Sequence, residues 1–206
     1  MSLRGKLASA LGRNDERPDV ELAEVLAARP NAASVTELVE LLSTGTVAEQ
    51  NDAIKVLYEL GERKPDAIAA HVDAFLALLK SRNNRNVWGA MSAIDTIAAV
   101  RSKAVATALK DILTAADKGS VIAKDKAMST LAKLALAGEP KAMPALLERL
   151  ETAAINQFPM YAEMVLPAAG AHKGKFQAIL ERRLPDLPPA KQARVEKVLR
   201  KLGKSS

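Results

Sequence analysis

The chain reads as an all-α protein, a right-handed α-α superhelix of about five stacked helix pairs. Three observations predict it. The apolar residues are mostly Ala, Leu, Val and Ile, and aromatics make up only 3%; Ala and Leu favour helices, whereas strands favour aromatic and β-branched side chains. One ten-residue apolar pattern recurs along most of the 206 residues. A second apolar stripe, complete as i, i+4, i+7 and i+8 in its two best copies, marks one face of a preceding helix.

The recurring stretches are "DAIKVLYELG" (52–61), "GAMSAIDTIA" (89–98), "KAMSTLAKLA" (126–135), "YAEMVLPAAG" (161–170) and "RVEKVLRKLG" (194–203). Their first anchors are Ala53, Ala90, Ala127, Ala162 and Val195, stepping by 37, 37, 35 and 33 residues. The second anchors (Leu57, Ile94, Leu131, Leu166, Leu199) and the third (Leu60, Ile97, Leu134, Ala169, Leu202) move by the same steps. An accidentally periodic bundle would not move three columns together.

The preceding helix carries Val35, Leu38, Val39 and Leu42 in the first pair. Ile68, Val72, Phe75 and Leu76 follow in the second, then Val105, Leu109, Ile112 and Leu113, then Met143, Leu147 and Leu150. Pro65 and Pro140 fall between pairs, and Pro188 with Pro189 stands where a last helix begins, as proline's missing N–H and fixed φ favour. Each unit is thus helix A, turn, helix B. A lone unit cannot bury both faces, so the units stack. The organisation expected is one domain: N-terminal capping helices over 1–33, a repeat body over 34–187, and a basic C-terminal capping helix over 188–206.

The two-helix unit, its length and the Ala, Leu, Leu-Gly pattern of helix B resemble HEAT repeats, with "DAIKVLYELG" and "RVEKVLRKLG" the closest copies. The resemblance covers roughly residues 20–203 and speaks to architecture. That family usually places a basic residue six positions before the second anchor; here the position holds Asn51, Trp88, Asp125, Met160 and Ala193. In such arrays the B helices line the concave side. At about 100° per residue, positions opposite the anchors face the groove. These are Asn51, Lys55 and Tyr58, then Trp88, Ser92 and Asp95, then Asp125, Ser129 and Ala132. Arg82 and Arg85 lie at the lip, in "SRNNRNVW" (81–88). There Asn86 is expected to cap helix B, with Asn83 or Asn84 in a left-handed turn.

These features favour a protein-interaction scaffold that binds another protein on its concave surface, without catalysis. Trp88, the only tryptophan, has two readings that the sequence leaves open: packing over the turn at the edge of the core, or anchoring a partner in the groove. Nucleic-acid binding is the alternative, because some HEAT-like proteins are DNA glycosylases for alkylated bases. Those demand aromatics around a carboxylate in a basic groove, whereas Trp88 has Ser92 one turn later and Asp95 two turns on. A bilin-lyase-like role, known for other HEAT-like proteins, has no residue signature here.

There is no cysteine, which removes disulfides, thiolate metal sites and cysteine nucleophiles. His71 and His172 stand far apart, and HExxH, phosphate-loop and G-x-S-x-G patterns are missing. No cofactor, metal site or catalytic residue is expected. No apolar run reaches the roughly 18 residues that span a bilayer, and "MSLRGKLASALGRNDERP" lacks a secretory apolar core; a soluble, cytoplasmic protein is expected. The net charge of +6 sits at the end of the chain, where residues 171–206 carry ten basic and three acidic side chains. Lys191, Arg194, Lys197, Arg200, Lys201 and Lys204 surround the apolar stripe of that segment. It reads first as the capping repeat and second as a basic arm for an acidic partner or nucleic acid.

Overall fold

In the computed structural model, which describes residues 2–204, twelve α-helices and short 3-10 turns follow one another, with no strand among the described residues. The chain divides into two compact units between Ala127 and Met128. The first holds α1 (Arg17–Ala28), α2 (Ala32–Thr44), α3 (Val47–Arg63), α4 (Val72–Leu78), α5 (Asn84–Ile97), α6 (Ser102–Thr107) and α7 (Leu109–Lys118). The boundary falls within α8 (Val121–Leu136). The second unit continues with α9 (Ala142–Glu151), α10 (Phe158–Val165), α11 (Lys173–Arg183) and α12 (Pro189–Lys204). The B helices foreseen from the anchors are α3, α5, α8, α10 and α12.

Local signals explain the helix starts. The Asn31 side chain accepts the N–H groups of Ala33 and Ser34 and caps α2. Thr46 and Glu49 cap α3 reciprocally: the hydroxyl accepts the Glu49 N–H at 3.3 Å and the carboxylate accepts the Thr46 N–H at 2.8 Å. Proline opens α12 at Pro189, where its missing N–H costs nothing.

In α3, α5 and α8 all three anchor columns are buried, from Ala53, Leu57 and Leu60 to Ala127, Leu131 and Leu134. In the last two B helices the second anchors, Leu166 and Leu199, are only half-buried, and Val165 and Val198 are buried instead. α10 stops at Val165, where Pro167 turns the chain into a 3-10 segment.

The A helices differ from expectation. The second is broken into 3-10 turns at Pro65–Ala67 and Ala69–His71 before α4, and the third splits into α6 and α7 at Ala108. Its apolar positions are still buried (Ile68, Val72 and Phe75; Val105, Leu109 and Ile112). Apolar spacing requires only that these side chains face inward, which short segments satisfy as well as one rod.

Asparagines of the 81–88 turn also depart from expectation. Asn83, not Asn86, is the cap: its Oδ1 accepts the Arg85 N–H at 3.0 Å. Asn86 lies one turn inside α5, buried, with Nδ2 donating to Gln50 Oε1 at 2.9 Å. Among the described residues only glycines have positive φ (Gly12, Gly138 and Gly170), so neither Asn83 nor Asn84 is left-handed.

Close approach of α3 and α5 requires a glycine at position 89. A Cβ there would lie 2.7 Å from Ile54 Cγ1 and 3.0 Å from Ile54 Cγ2. Ile54 is itself buried and branched at Cβ, so it cannot swing aside. On an exposed helix Gly→Ala gains about 1 kcal/mol. Here overpacking wins, and Gly89→Ala is expected to lower stability by about 1–2 kcal/mol in urea denaturation; a gain would show that the helices separate freely.

Candidate functional site

Helix α3 carries Asn51, Lys55 and Tyr58 at helical spacing, and α5 begins beside it with Arg85 and Trp88. The rings of Tyr58 and Trp88 lie 5.8 Å apart, tilted by 53°, a favoured aromatic arrangement. A cation sits over each ring. Lys55 Nζ is 4.8 Å from the Tyr58 centroid and the Arg85 guanidinium is 5.7 Å from that of Trp88. Trp88 is half-buried, so part of its indole stays accessible, whereas Tyr58 is buried.

Glu16, just ahead of α1, bridges the two cations. It pairs with Lys55 Nζ at 3.0 Å and with Arg85. Glu59 pairs with Lys55 at 2.8 Å and with Arg63 at 2.6 Å. Burial works against the Lys55 charge, but the bonds to Glu59, Tyr58 and Glu16 outweigh it and push its pKa up. Burial likewise opposes the Glu16 charge, yet Lys55 and Arg85 hold its carboxyl below the ordinary range. Asn51 Oδ1 accepts from Asn83 Nδ2 at 2.8 Å, tying the start of α3 to the turn before α5.

The helical pattern places Lys55, Tyr58, Ser92, Asp95 and Ala132 on an open face; the structure buries all five. α3 has α1, α2 and α5 against it, so it has little free side left. Residues 2–16 add to that cover. Leu3, Leu7 and Ala8 are buried, the Ser9 N–H donates to Asp52 Oδ2 at 2.8 Å, and the Ala8 N–H donates to Asp19 Oδ1 at 3.0 Å. Asp95 is buried beside Lys126, whose Nζ lies 3.5 Å from it and 3.1 Å from Glu62. A wheel drawn on one helix cannot see what its neighbours lay across it. Glu16, Asp19 and residues 2–16 were missing from the expected site for that reason; "NDE" at 14–16 was its only trace in the sequence.

The remaining expected positions stay more open. Arg82 is exposed, and Asn51, Arg85, Asp125 and Ser129 are half-buried. Ser129 belongs to the second unit. Beside Trp88, a pocket of about 110 Å³ is lined by Val87, Lys118 and Ala123 among others. It shares Asn84, Val87, Lys118 and Gly119 with a neighbouring cleft of about 440 Å³.

In the second unit, Val195, Val198 and Leu202 of the basic segment are buried. Arg194 pairs with both Glu163 oxygens at 2.6 Å, and Lys191 bonds Asn156. Lys197, Arg200, Lys201 and Lys204 are exposed. Residues 1–127 carry 17 basic and 17 acidic side chains, whereas residues 128–206 carry 13 and 7, a balance of 13 − 7 = +6. Among the described residues no group of three or more His, Cys, Asp or Glu could hold a metal ion, and no helix is long and apolar enough to cross a membrane.

No family model matches the chain, and no curated protein matches it in sequence. Solved structures do resemble it. One is an engineered protein, 19% identical with a TM-score of 0.62 over 99% of this chain and 98% of that one. Another belongs to computationally designed armadillo repeat proteins for modular peptide recognition, 18% identical with a TM-score of 0.60 over 90% and 92%. A third, designed armadillo repeat protein YIII(Dq)4CqI, is 18% identical with a TM-score of 0.59 over 98% and 100%. The likeness shows the fold: an all-α helical repeat of the HEAT and armadillo type.

Proposed function

We propose that this chain is a non-catalytic scaffold that binds another protein, as an extended segment, where α3 and α5 lie side by side. The observation that carries the reading is Trp88. It is the chain's single tryptophan, half-buried, held against Tyr58 and opening on a pocket one side chain could fill. A rigid aromatic already immobilised by its neighbours loses little entropy on binding, which is what makes such residues anchors. Arg82, Arg85 and Asn51 supply polar groups at its edge. Asp125 remains a further contact for a longer segment, while the buried Lys55, Tyr58, Ser92 and Asp95 serve mainly by holding the surface in place. The armadillo proteins designed for peptide recognition support the same reading for a fold of this type.

Selecting peptides from a random library against the intact protein tests it. Trp88→Ala is expected to weaken the selected peptides about 30-fold, the effect of a 2 kcal/mol hot spot, with the melting temperature nearly unchanged. Undiminished affinity, or loss of the fold, would return Trp88 to a packing role. A second reading, nucleic acid held by Lys197, Arg200, Lys201 and Lys204 of α12, is favoured by the charge carried in residues 128–206; absence of salt-dependent duplex binding at low salt removes it.

A further inference from the structure

A cleft of about 470 Å³, with Glu16 and Arg85 in its wall, opens between the 8–16 segment and the starts of α1 and α3. Ligand sites of small molecules begin near this size. Two carboxylates, Asp19 and Asp52, line it, and neither has a basic side chain of its own. Each receives one backbone hydrogen bond, from Ala8 and Ser9 respectively. The other carboxylates and cations of the wall are spent on each other: Arg13 on Asp15, Arg85 on Glu16.

Three buried polar atoms of residues in the wall of this cleft have no hydrogen-bond partner: Asp19 Oδ2, Ser9 Oγ and Arg85 Nε. Asp19 is 0% exposed, so its free oxygen is not served by bulk solvent, and a buried unpaired carboxylate is costly. The set consists of acceptors from two residues and one donor. A group that complements it carries several N–H donors and a positive charge, with an oxygen acceptor beside them. A primary ammonium next to a carbonyl has that chemistry.

We propose that this cleft is a binding site for an α-ammonium group and its adjacent carbonyl, as borne by a peptide N-terminus or an amino-acid amide. The ammonium bonds Asp19 Oδ2, Asp52 and Ser9 Oγ, and the carbonyl accepts from Arg85 Nε. Charge-assisted bonds of this kind are the strong ones, and the ligand relieves the repulsion between Asp19 and Asp52. The site does not depend on Trp88 as an anchor.

Burial raises the Asp19 pKa to about 7, with Asp52 and Glu16 adding to the rise and Arg85 and the Ala8 N–H opposing it. An ammonium favours the ionised carboxylate. Affinity is therefore expected to fall about tenfold per pH unit below 7. It falls again above about 8, where an α-ammonium loses its own proton.

The test uses the full chain and three probes: glycinamide, the tripeptide Ala-Gly-Gly, and its N-acetylated form. The Ala8 and Ser9 amide resonances, which report directly on the two carboxylates, are followed by NMR. Saturable shifts with a free-ammonium probe are expected, none with the acetylated one, and an affinity maximum between pH 7 and 8. Saturation by glycinamide identifies an amino-acid amide as sufficient; saturation by the tripeptide alone identifies a peptide N-terminus. Asp19→Asn and Asp52→Asn should each weaken binding at least tenfold. Equal binding of the acetylated probe, or no saturable shift with either free ammonium, overturns the proposal. So does full affinity in both variants; if either variant misfolds, the pH profile of the unaltered protein still decides.

Discussion

Leu57→Ala is expected to remove about 3–4 kcal/mol of stability, a large part of the 5–15 kcal/mol that holds a typical domain together. Leu57 is 0% exposed and sits in the middle of α3, the helix against which α1, α2 and α5 all pack. Truncation loses the transfer free energy of three carbons and leaves a cavity that four rigid helices cannot close. The denaturation midpoint should fall by roughly 10 °C for a chain of this size. Leu136, in α8 and 59% exposed, is the control; its replacement by alanine should move stability by less than about 0.5 kcal/mol. Urea denaturation followed by circular dichroism compares the two. Equal costs would mean that the anchor columns do not form the core.

Asp19→Asn should do the reverse and stabilise the protein, but only at neutral and alkaline pH. The folded-state pKa is raised by burial to about 7 from an ordinary 3.8. Between those values the folded chain holds a proton that the unfolded chain has released. Stability therefore falls as pH rises through that window, and above 7 the full cost of the buried charge is present. Asparagine keeps the acceptor that serves the Ala8 N–H and removes the charge. The expected gain at pH 8 is on the order of 2–3 kcal/mol, with none at pH 4, where Asp19 is neutral in the folded protein. Melting curves of both proteins at the two pH values measure it. A variant less stable at pH 8 would show that the ionised carboxylate is stabilised by its surroundings. If Asp19→Asn gains stability and loses ammonium binding together, a buried charge has been kept for a ligand at the expense of the fold.

Much of the architecture was legible in the residues. The steps from Ala53 to Ala90 and Ala127, repeated at Leu57 and Leu60, located three B helices and their buried faces before any coordinates. Helix periodicity is a property of one segment, and apolar burial is the strongest signal a segment carries. The capping proline at 189 and the packing of Val195 and Leu202 in α12 were legible for the same reason. The break at Ala108 was not, because an inward-facing stripe fits a kinked segment as well as a straight one. The cap is Asn83, three residues before the expected Asn86, a larger shift than the one or two residues by which helix ends ordinarily differ.

The candidate site divides along the same line. Trp88, Tyr58 and Lys55 could be placed on one side of two helices by spacing alone, and Arg85 beside them at the turn. Their sequence could not say that Glu16 bridges Lys55 and Arg85, because that pairing joins residues 39 and 69 positions apart. Nor could it bury Asp95 beside Lys126, or leave one oxygen of Asp19 without a partner in the wall of a cleft. Local periodicity determined which face of each helix is apolar. Only the packing of helix on helix, and of residues 2–16 on both, decided which polar groups meet, which are dehydrated and which are left with a bond to make.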